Sequence, residues 1–302
     1  MAAQPCSVAV LGLGMIGGSL ALALKAAGFA SRVLGYDRDP GALAAGLEAG
    51  VIDSACEDLD AALAADIVVI AVPNVAAAAL LEELLARTAH GHEGPVLTDV
   101  ASVKGNLAAA AARGGPAPRF VPGHPIAGSE RSGVGAANGA LFQQHRVILT
   151  PLPEQDGDAL ALVRRLWESA GADVVCMGVA EHDAVLAATS HLPHVLAYCL
   201  VDDLAASPRR EALFRFAAGG FRDFTRIASS DPVMWRDVAL ANRDALLEAV
   251  DEFSARLAAL REAIASGDGV RLEATFSAAK TARDAFAEQQ ASAGREARRR
   301  PF

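Results

Sequence analysis

The sequence predicts an α/β domain built on a mostly parallel sheet, followed by an all-helical domain. Three observations predict it. Through residues 1–179, short β-branched runs alternate with alanine-rich helical runs, the pattern of parallel strands joined by crossover helices. A glycine-patterned turn follows directly on the first of those strands. From about residue 180 the strand-like runs vanish and long helical stretches take over, so a domain boundary is expected at residue 179.

The expected strands are Ser7–Leu11, Arg32–Tyr36, Ile67–Val72, Val96–Val100, Arg119–Pro122, Arg146–Thr150 and Asp173–Met177. Between them lie helical patterns at Met15–Ala27, Pro40–Ala49, Val75–Thr88, Val103–Ala112 and Asp158–Ala170. The second half reads as helices over Glu181–Ala205, Arg209–Ala217, Val233–Ser266 and Gly269–Gln289. Leu246, Val250, Phe253, Leu257 and Leu260 recur at helical spacing and predict one buried stripe. The second domain is expected over 180–290, and residues 291–302, basic toward the end and without periodicity, as a frayed tail. A helical domain with large apolar faces is suited to pairing two copies of the chain.

Bulk composition narrows the function classes. The chain has 302 residues, enough for two cores, and its 52% hydrophobic content is globular. A formal net charge of −9 disfavours a nucleic-acid partner, yet a few local arginines could still hold a small anion. Cys6, Cys56, Cys176 and Cys199 stand singly, with no metal or redox spacing, as expected of reduced thiols in the cytoplasm. The apolar run Val8–Leu24 lacks a basic leader and is broken by patterned glycines, so it is not expected to be a signal peptide. No other stretch is expected to span a membrane.

Gly12, Gly14 and Gly17 give G-x-G-x-x-G between a strand and a helix, with Met15 and Ile16 opening that helix. Gly12 permits the sharp turn, and Gly14 lets the backbone approach a pyrophosphate. Gly17 lets helix and strand pack, while the helix N-terminus faces the negative charge. The second strand ends at Asp37, about 20 residues on, where a carboxylate would hold an adenosine ribose. This is the pattern of a Rossmann-type dinucleotide-binding domain. Asp37 accepts a ribose 2′-hydroxyl and repels a 2′-phosphate, which favours NAD, while the adjacent Arg38 leaves NADP open.

Ligands in open α/β sheets bind beyond the carboxyl ends of the strands. Two peptides there are rich in chemistry, Thr98–Gly105 and Gly123–Glu130. His124 in the second can take a proton from a substrate hydroxyl as hydride leaves the same carbon, its ordinary pKa lying near working pH. Ser102 stands in a turn, where serines are common, and the residues alone leave its role open. His191 and His194 in Ser190–His194 share a helix face. No acidic ligand stands at helical spacing with them, so no metal is expected; they are satisfied polar groups, or one faces a substrate. In Gly219–Ala228, arginines beside glycines could clamp a carboxylate or could simply pair with Asp223 and Asp231.

Together these motifs resemble the prephenate and arogenate dehydrogenases of tyrosine biosynthesis. The resemblance rests on GLGMIGGS (12–19), DVASVKG (99–105), GHPIAGSE (123–130), SHLPH (190–194), GGFRDFTRIA (219–228) and SDPVMWRD (230–237). It implies a nucleotide-binding domain followed by a helical dimerisation domain, and hence a homodimer. It makes His124 the catalytic group on the ring hydroxyl, with Ser102 orienting both. His194 would contact the substrate side chain and Arg226 a substrate carboxylate. Ser129, Glu130, Arg222 and Asp223 would line or gate the pocket. The implied reaction is the NAD-dependent oxidative decarboxylation of prephenate, arogenate or both, without a metal.

Overall fold

The computed structural model describes residues 5–88, 94–128 and 131–297. Its main sheet has six strands, all parallel, in the order β3-β2-β1-β4-β5-β6. These are β1 (Cys6–Leu11), β2 (Ala30–Tyr36), β3 (Ser54–Ala55), β4 (Ile67–Ile70), β5 (Val96–Asp99) and β6 (Phe120–Val121). The chain reverses direction of travel across the sheet between β1 and β4, which opens a crevice beyond their carboxyl ends. Side chains of β1 alternate between the faces. Val8 and Val10 enter the core under α1 (Met15–Ala26), while Ala9 and Leu11 enter the core under α4 (Asn74–Arg87). Both faces are therefore buried, as the run of apolar residues in β4 requires.

Two of the expected strands leave this sheet. Val147 and Val174 lie in β8 (Arg146–Leu149) and β9 (Asp173–Cys176), which join β7 (Gly123–Pro125) in a separate three-stranded sheet. The β7–β8 pair is antiparallel and β8–β9 parallel. The changeover occurs at Pro122, which has no N–H to continue pairing. The short β3 and α3 (Leu59–Leu63) have too few residues to show a period and are absent from the sequence reading. The remaining helices of this half are α2 (Pro40–Glu48), α5 (Gly105–Gly114) and α6 (Gly157–Ser169), the last bringing Trp167 edge-on to Phe142.

The helical part runs through α7 (Val179–Leu186), α8 (Leu192–Ala206), α9 (Arg210–Arg215), α10 (Gly219–Thr225), α11 (Pro232–Ala241), α12 (Arg243–Ser266) and α13 (Gly269–Ala297). The expected single helix over Glu181–Ala205 is interrupted by a π-helical turn at Ala187–His191. Pro193 accounts for it, since it cannot donate to a carbonyl one α-turn back. The expected Val233–Ser266 helix likewise breaks at Asn242. The frayed tail expected from residue 291 is helical as far as Ala297, and 298–302 lie outside the described residues.

By packing, the chain divides into two compact units, Met1–Leu246 and Leu247–Phe302, and the first helices after residue 179 fall in the first unit. The reason is that α7 packs on α5 and α11 on α4, tying the first helices to the sheet's own layer. The expected buried stripe is also corrected. Leu246 is buried, but Phe253 and Leu257 are 37% and 54% exposed in the single chain. One stretch contradicts the expectation on membrane length: Val179–Ala206 is long and apolar enough to cross a bilayer by length and composition. It carries the polar side chains His182, Asp183 and His191, all buried in unit 1, so its length and apolarity do not make it a span.

Candidate active site

The glycine turn after β1 is built for a close neighbour. Gly12 has φ of +103°, and a Cβ there would lie 2.5 Å from the Ala71 carbonyl oxygen. A Cβ on Gly17 would lie 2.2 Å from the Gly12 oxygen, so helix α1 can meet the turn only through glycine. A Cβ on Gly14 would meet nothing within 4 Å, which leaves open room at the uncapped N-terminus of α1. Asp37 sits at the end of β2 and accepts the Leu13 N–H at 2.7 Å and the Asp39 N–H at 2.9 Å. Its carboxylate thus adjoins the turn, while Arg38 beside it is exposed. A cradle with a bare helix N-terminus, a glycine-lined approach and a carboxylate at the next strand end fits a dinucleotide. Met15 and Ile16, half-buried in the first turn of α1, complete it.

Beyond β5 a buried ion pair organises the next loop. Asp99 and Lys104 are both fully buried and bonded to each other. Asp99 also accepts the Ala101 and Gly123 N–H groups, and Lys104 donates to the Gly123 carbonyl at 2.6 Å. Burial pushes the Asp99 carboxyl up and the Lys104 ammonium down, and each opposes the other's shift. The pair ties the loop carrying Ser102 to the strand carrying His124. Asn74, at the start of α4, accepts the Val103 N–H at 3.0 Å and fixes the same loop from the other side.

His124 in β7 is buried, and burial first, then the Lys104 charge, holds its pKa well below the ordinary histidine value. Its Nδ1 lies 2.9 Å from Nε2 of His182, and His182 Nδ1 lies 2.8 Å from Asp183 Oδ1. Asp183 also accepts the Lys104 N–H at 2.9 Å and the Gly105 N–H at 2.7 Å. Burial would raise the Asp183 carboxyl, but these hydrogen bonds, His182 first, leave it lowered. Helix α7 therefore grips both the Ser102 loop and His124. Asn242 bonds the Asp183 carbonyl at 2.9 Å and His191 Nδ1 at 3.0 Å. His191 is buried among these groups, and burial lowers it to about 4.

His194 lies one turn beyond the π-helical segment, with Nδ1 2.9 Å from the Ser190 carbonyl. Its ring stacks on Trp235 at 3.5 Å. Burial, and then the charge of Arg226, weigh against protonation of His194 and leave its pKa lowered, so Arg226 acts electrostatically on the same place. Arg222 and Asp223 lie exposed on α10, one turn before Arg226. Ser129 and Glu130 lie outside the described residues.

The structure thus ties the loop that carries Ser102 to the segment that carries His124 through Asp99, Lys104 and Asp183, and sets the charge of Arg226 within reach of His194. It adds residues that sequence reasoning missed. Asp99 and Lys104 stood inside a quoted motif, but a five-residue spacing does not reveal a buried pair. His182 and Asp183 gave no signal, because their role depends on contact with a strand 58 residues away. Trp235 could have been suspected as an aromatic in the polar run 230–237.

Residues 20–176 match the prephenate dehydrogenase nucleotide-binding domain, and residues 179–278 the prephenate dehydrogenase dimerization domain. The chain is 39% identical to a prephenate dehydrogenase of Bacillus subtilis, covering 95% of this chain and 78% of that protein. It is 38% identical to a cyclohexadienyl dehydrogenase of Zymomonas mobilis, covering 91% and 94%. Among solved structures it is similar to prephenate dehydrogenase from A. aeolicus in complex with hydroxyphenyl propionate and NAD+. That match has TM-score 0.87 and 35% identity, and covers 95% of this chain and all of that one. Synechocystis arogenate dehydrogenase is similar at TM-score 0.79 and 28% identity, over 93% and 99% of the two chains.

Proposed function

The chain belongs to the prephenate dehydrogenase family, and we propose that it oxidatively decarboxylates prephenate to 4-hydroxyphenylpyruvate with NAD in tyrosine biosynthesis. The observation that carries the residue assignment is a buried, neutral-held His124 beside the loop of Ser102, at the carboxyl end of the sheet that holds the dinucleotide cradle. A nicotinamide held in the glycine cradle would supply a hydride acceptor for the ring carbon that bears the hydroxyl. As that carbon becomes electron-poor, its hydroxyl becomes acidic. His124 accepts the hydroxyl's hydrogen bond and stabilises the charge developing there. The bond to the ring carboxylate breaks, its electron pair enters the ring, and carbon dioxide leaves as the ring becomes aromatic. The phenol keeps its proton, so His124 ends neutral.

The other residues position the substrate. Ser102 has a half-buried hydroxyl in the same loop and orients the ring hydroxyl toward His124. His194, braced on Trp235, meets the side chain, and Arg226 holds a carboxylate by a charge-assisted bond. Arg222 and Asp223, exposed on α10, line or gate the pocket. Met15, Ile16, Gly12, Gly14 and Gly17 bind the pyrophosphate, and Asp37 the ribose, with Arg38 beside it. Two copies pair through the helical part; the dimerization-domain match and the exposed Phe253 and Leu257 support this. The free thiols Cys6, Cys56, Cys176 and Cys199 support a cytoplasmic enzyme.

Likeness to a cyclohexadienyl and an arogenate dehydrogenase supports arogenate as a further substrate. Steady-state assays with prephenate, arogenate and a β-hydroxy acid, each with NAD, test the reading. NADH formation with prephenate is expected, and turnover of the β-hydroxy acid alone would overturn it.

A further inference from the structure

We propose that His182 and Asp183 are positioning residues that fix the tautomer of His124. This rests on the reading above, in which His124 must offer a bare ring nitrogen to the substrate hydroxyl. The relay begins at Asp183. Its carboxylate accepts three hydrogen bonds, from the Lys104 and Gly105 N–H groups and from the His182 ring. A carboxylate has no proton to give, so His182 carries its proton on Nδ1. Neutral His182 then has a bare Nε2, 2.9 Å from His124 Nδ1. That contact is a hydrogen bond only if His124 donates, so the proton of neutral His124 sits on Nδ1. Its Nε2 is left bare, as an acceptor for the hydroxyl.

Among the described residues, His182 is the group bonded to His124 Nδ1. The charged and titratable groups acting on His124 are Lys104, His182 and His191. Lys104 donates to Asp99 and the Gly123 carbonyl, and His191 bonds Asn242, so neither takes the place of His182. His182 itself is fully buried, so water does not supply an alternative partner. The two rings meet edge to face, their planes at 64° and their centroids 5.1 Å apart. The same carboxylate holds the two backbone N–H groups that follow Ser102 and Val103. One acidic side chain therefore sets the proton of the base and the position of the loop that orients the substrate.

The test is nitrogen-15 NMR of the full-length protein labelled at histidine, with His124 assigned by the resonance lost in His124→Asn. At neutral pH the expected result is a proton on Nδ1 and none on Nε2, at both His124 and His182. His182→Gln can still accept from His124 and donate to Asp183. It should keep that tautomer and hold kcat within about tenfold of the parent. His182→Phe removes the acceptor; kcat should fall by about 10²-fold or more with KM little changed, and His124 should lose its fixed tautomer. A proton on Nε2 of His124 in the parent protein would overturn the proposal, as would an undiminished kcat in a folded His182→Phe protein. Should the phenylalanine variant fail to fold, the parent tautomer and the glutamine variant decide. The tautomer is read without substrate, so a failed functional reading would show as no turnover with the relay intact.

Discussion

Replacing Lys104 by methionine tests the buried pair that joins the two halves of the site. Both side chains of the Asp99–Lys104 pair are fully inaccessible, so the remaining carboxylate would face no cation and no water. Breaking such a pair from one side costs about 3–5 kcal/mol. The Gly123 carbonyl would also lose its donor, which carries about 1–3 kcal/mol when the group stays buried. Asp99 would answer by taking up a proton, its pKa already raised by burial, and this limits the total to the lower part of the combined range. A loss of about 4 kcal/mol is a large share of the ~5–15 kcal/mol that holds a domain folded. Urea unfolding followed by circular dichroism measures it. The variant Asp99→Asn/Lys104→Met removes both charges and should recover at least half of the loss. A single variant within about 1 kcal/mol of the parent would refute the reasoning. So would a double variant less stable than the single one.

Three further outcomes are expected. His124→Asn should lower kcat by about 10²–10⁴ with substrate binding largely kept. In the parent, burial and then Lys104 depress the His124 pKa, so the neutral base persists below the ordinary histidine value and is lost only as pH falls through the depressed one. The acid limb of kcat/KM should accordingly lie below pH ~6.5. Arg226→Gln should act mainly on KM for the substrate, and a normal KM would count against the carboxylate clamp. Asp37→Ser should shift preference toward NADP, measured as the ratio of kcat/KM for the two cofactors; undiminished NAD preference would remove Asp37 from the ribose site. Because Asp37 also holds the Leu13 N–H, NAD affinity should fall in the same variant.

Much of this was legible in the sequence, for reasons that differ by element. The unbroken apolar run of β4 and the alternation of β1 announced a parallel sheet with both faces covered. The glycine turn was legible because its backbone tolerates nothing larger: at Gly12 and Gly17 a Cβ would collide with backbone oxygens. His124 drew attention just past an expected strand end between glycines, whereas the structure sets it inside β7 of the second sheet. The second sheet was not, because β8 and β9 have the same local pattern as strands of the first, and only the break at Pro122 separates them. The relay through His182 and Asp183 was not, because a histidine on a helix looks the same whether it meets solvent or another histidine. The exposed faces of Phe253 and Leu257 were misread as core, since helical periodicity marks a face to be covered without saying by which chain.

The central claim is an oxidation coupled to loss of the ring carboxylate at His124. Its most direct test is product stoichiometry with prephenate labelled in the ring carboxylate, run with NAD. One NADH, one labelled carbon dioxide and one 4-hydroxyphenylpyruvate are expected per turnover, all three suppressed together in His124→Asn. NADH formed without release of the label, or release of the label at the parent rate in His124→Asn, would contradict it.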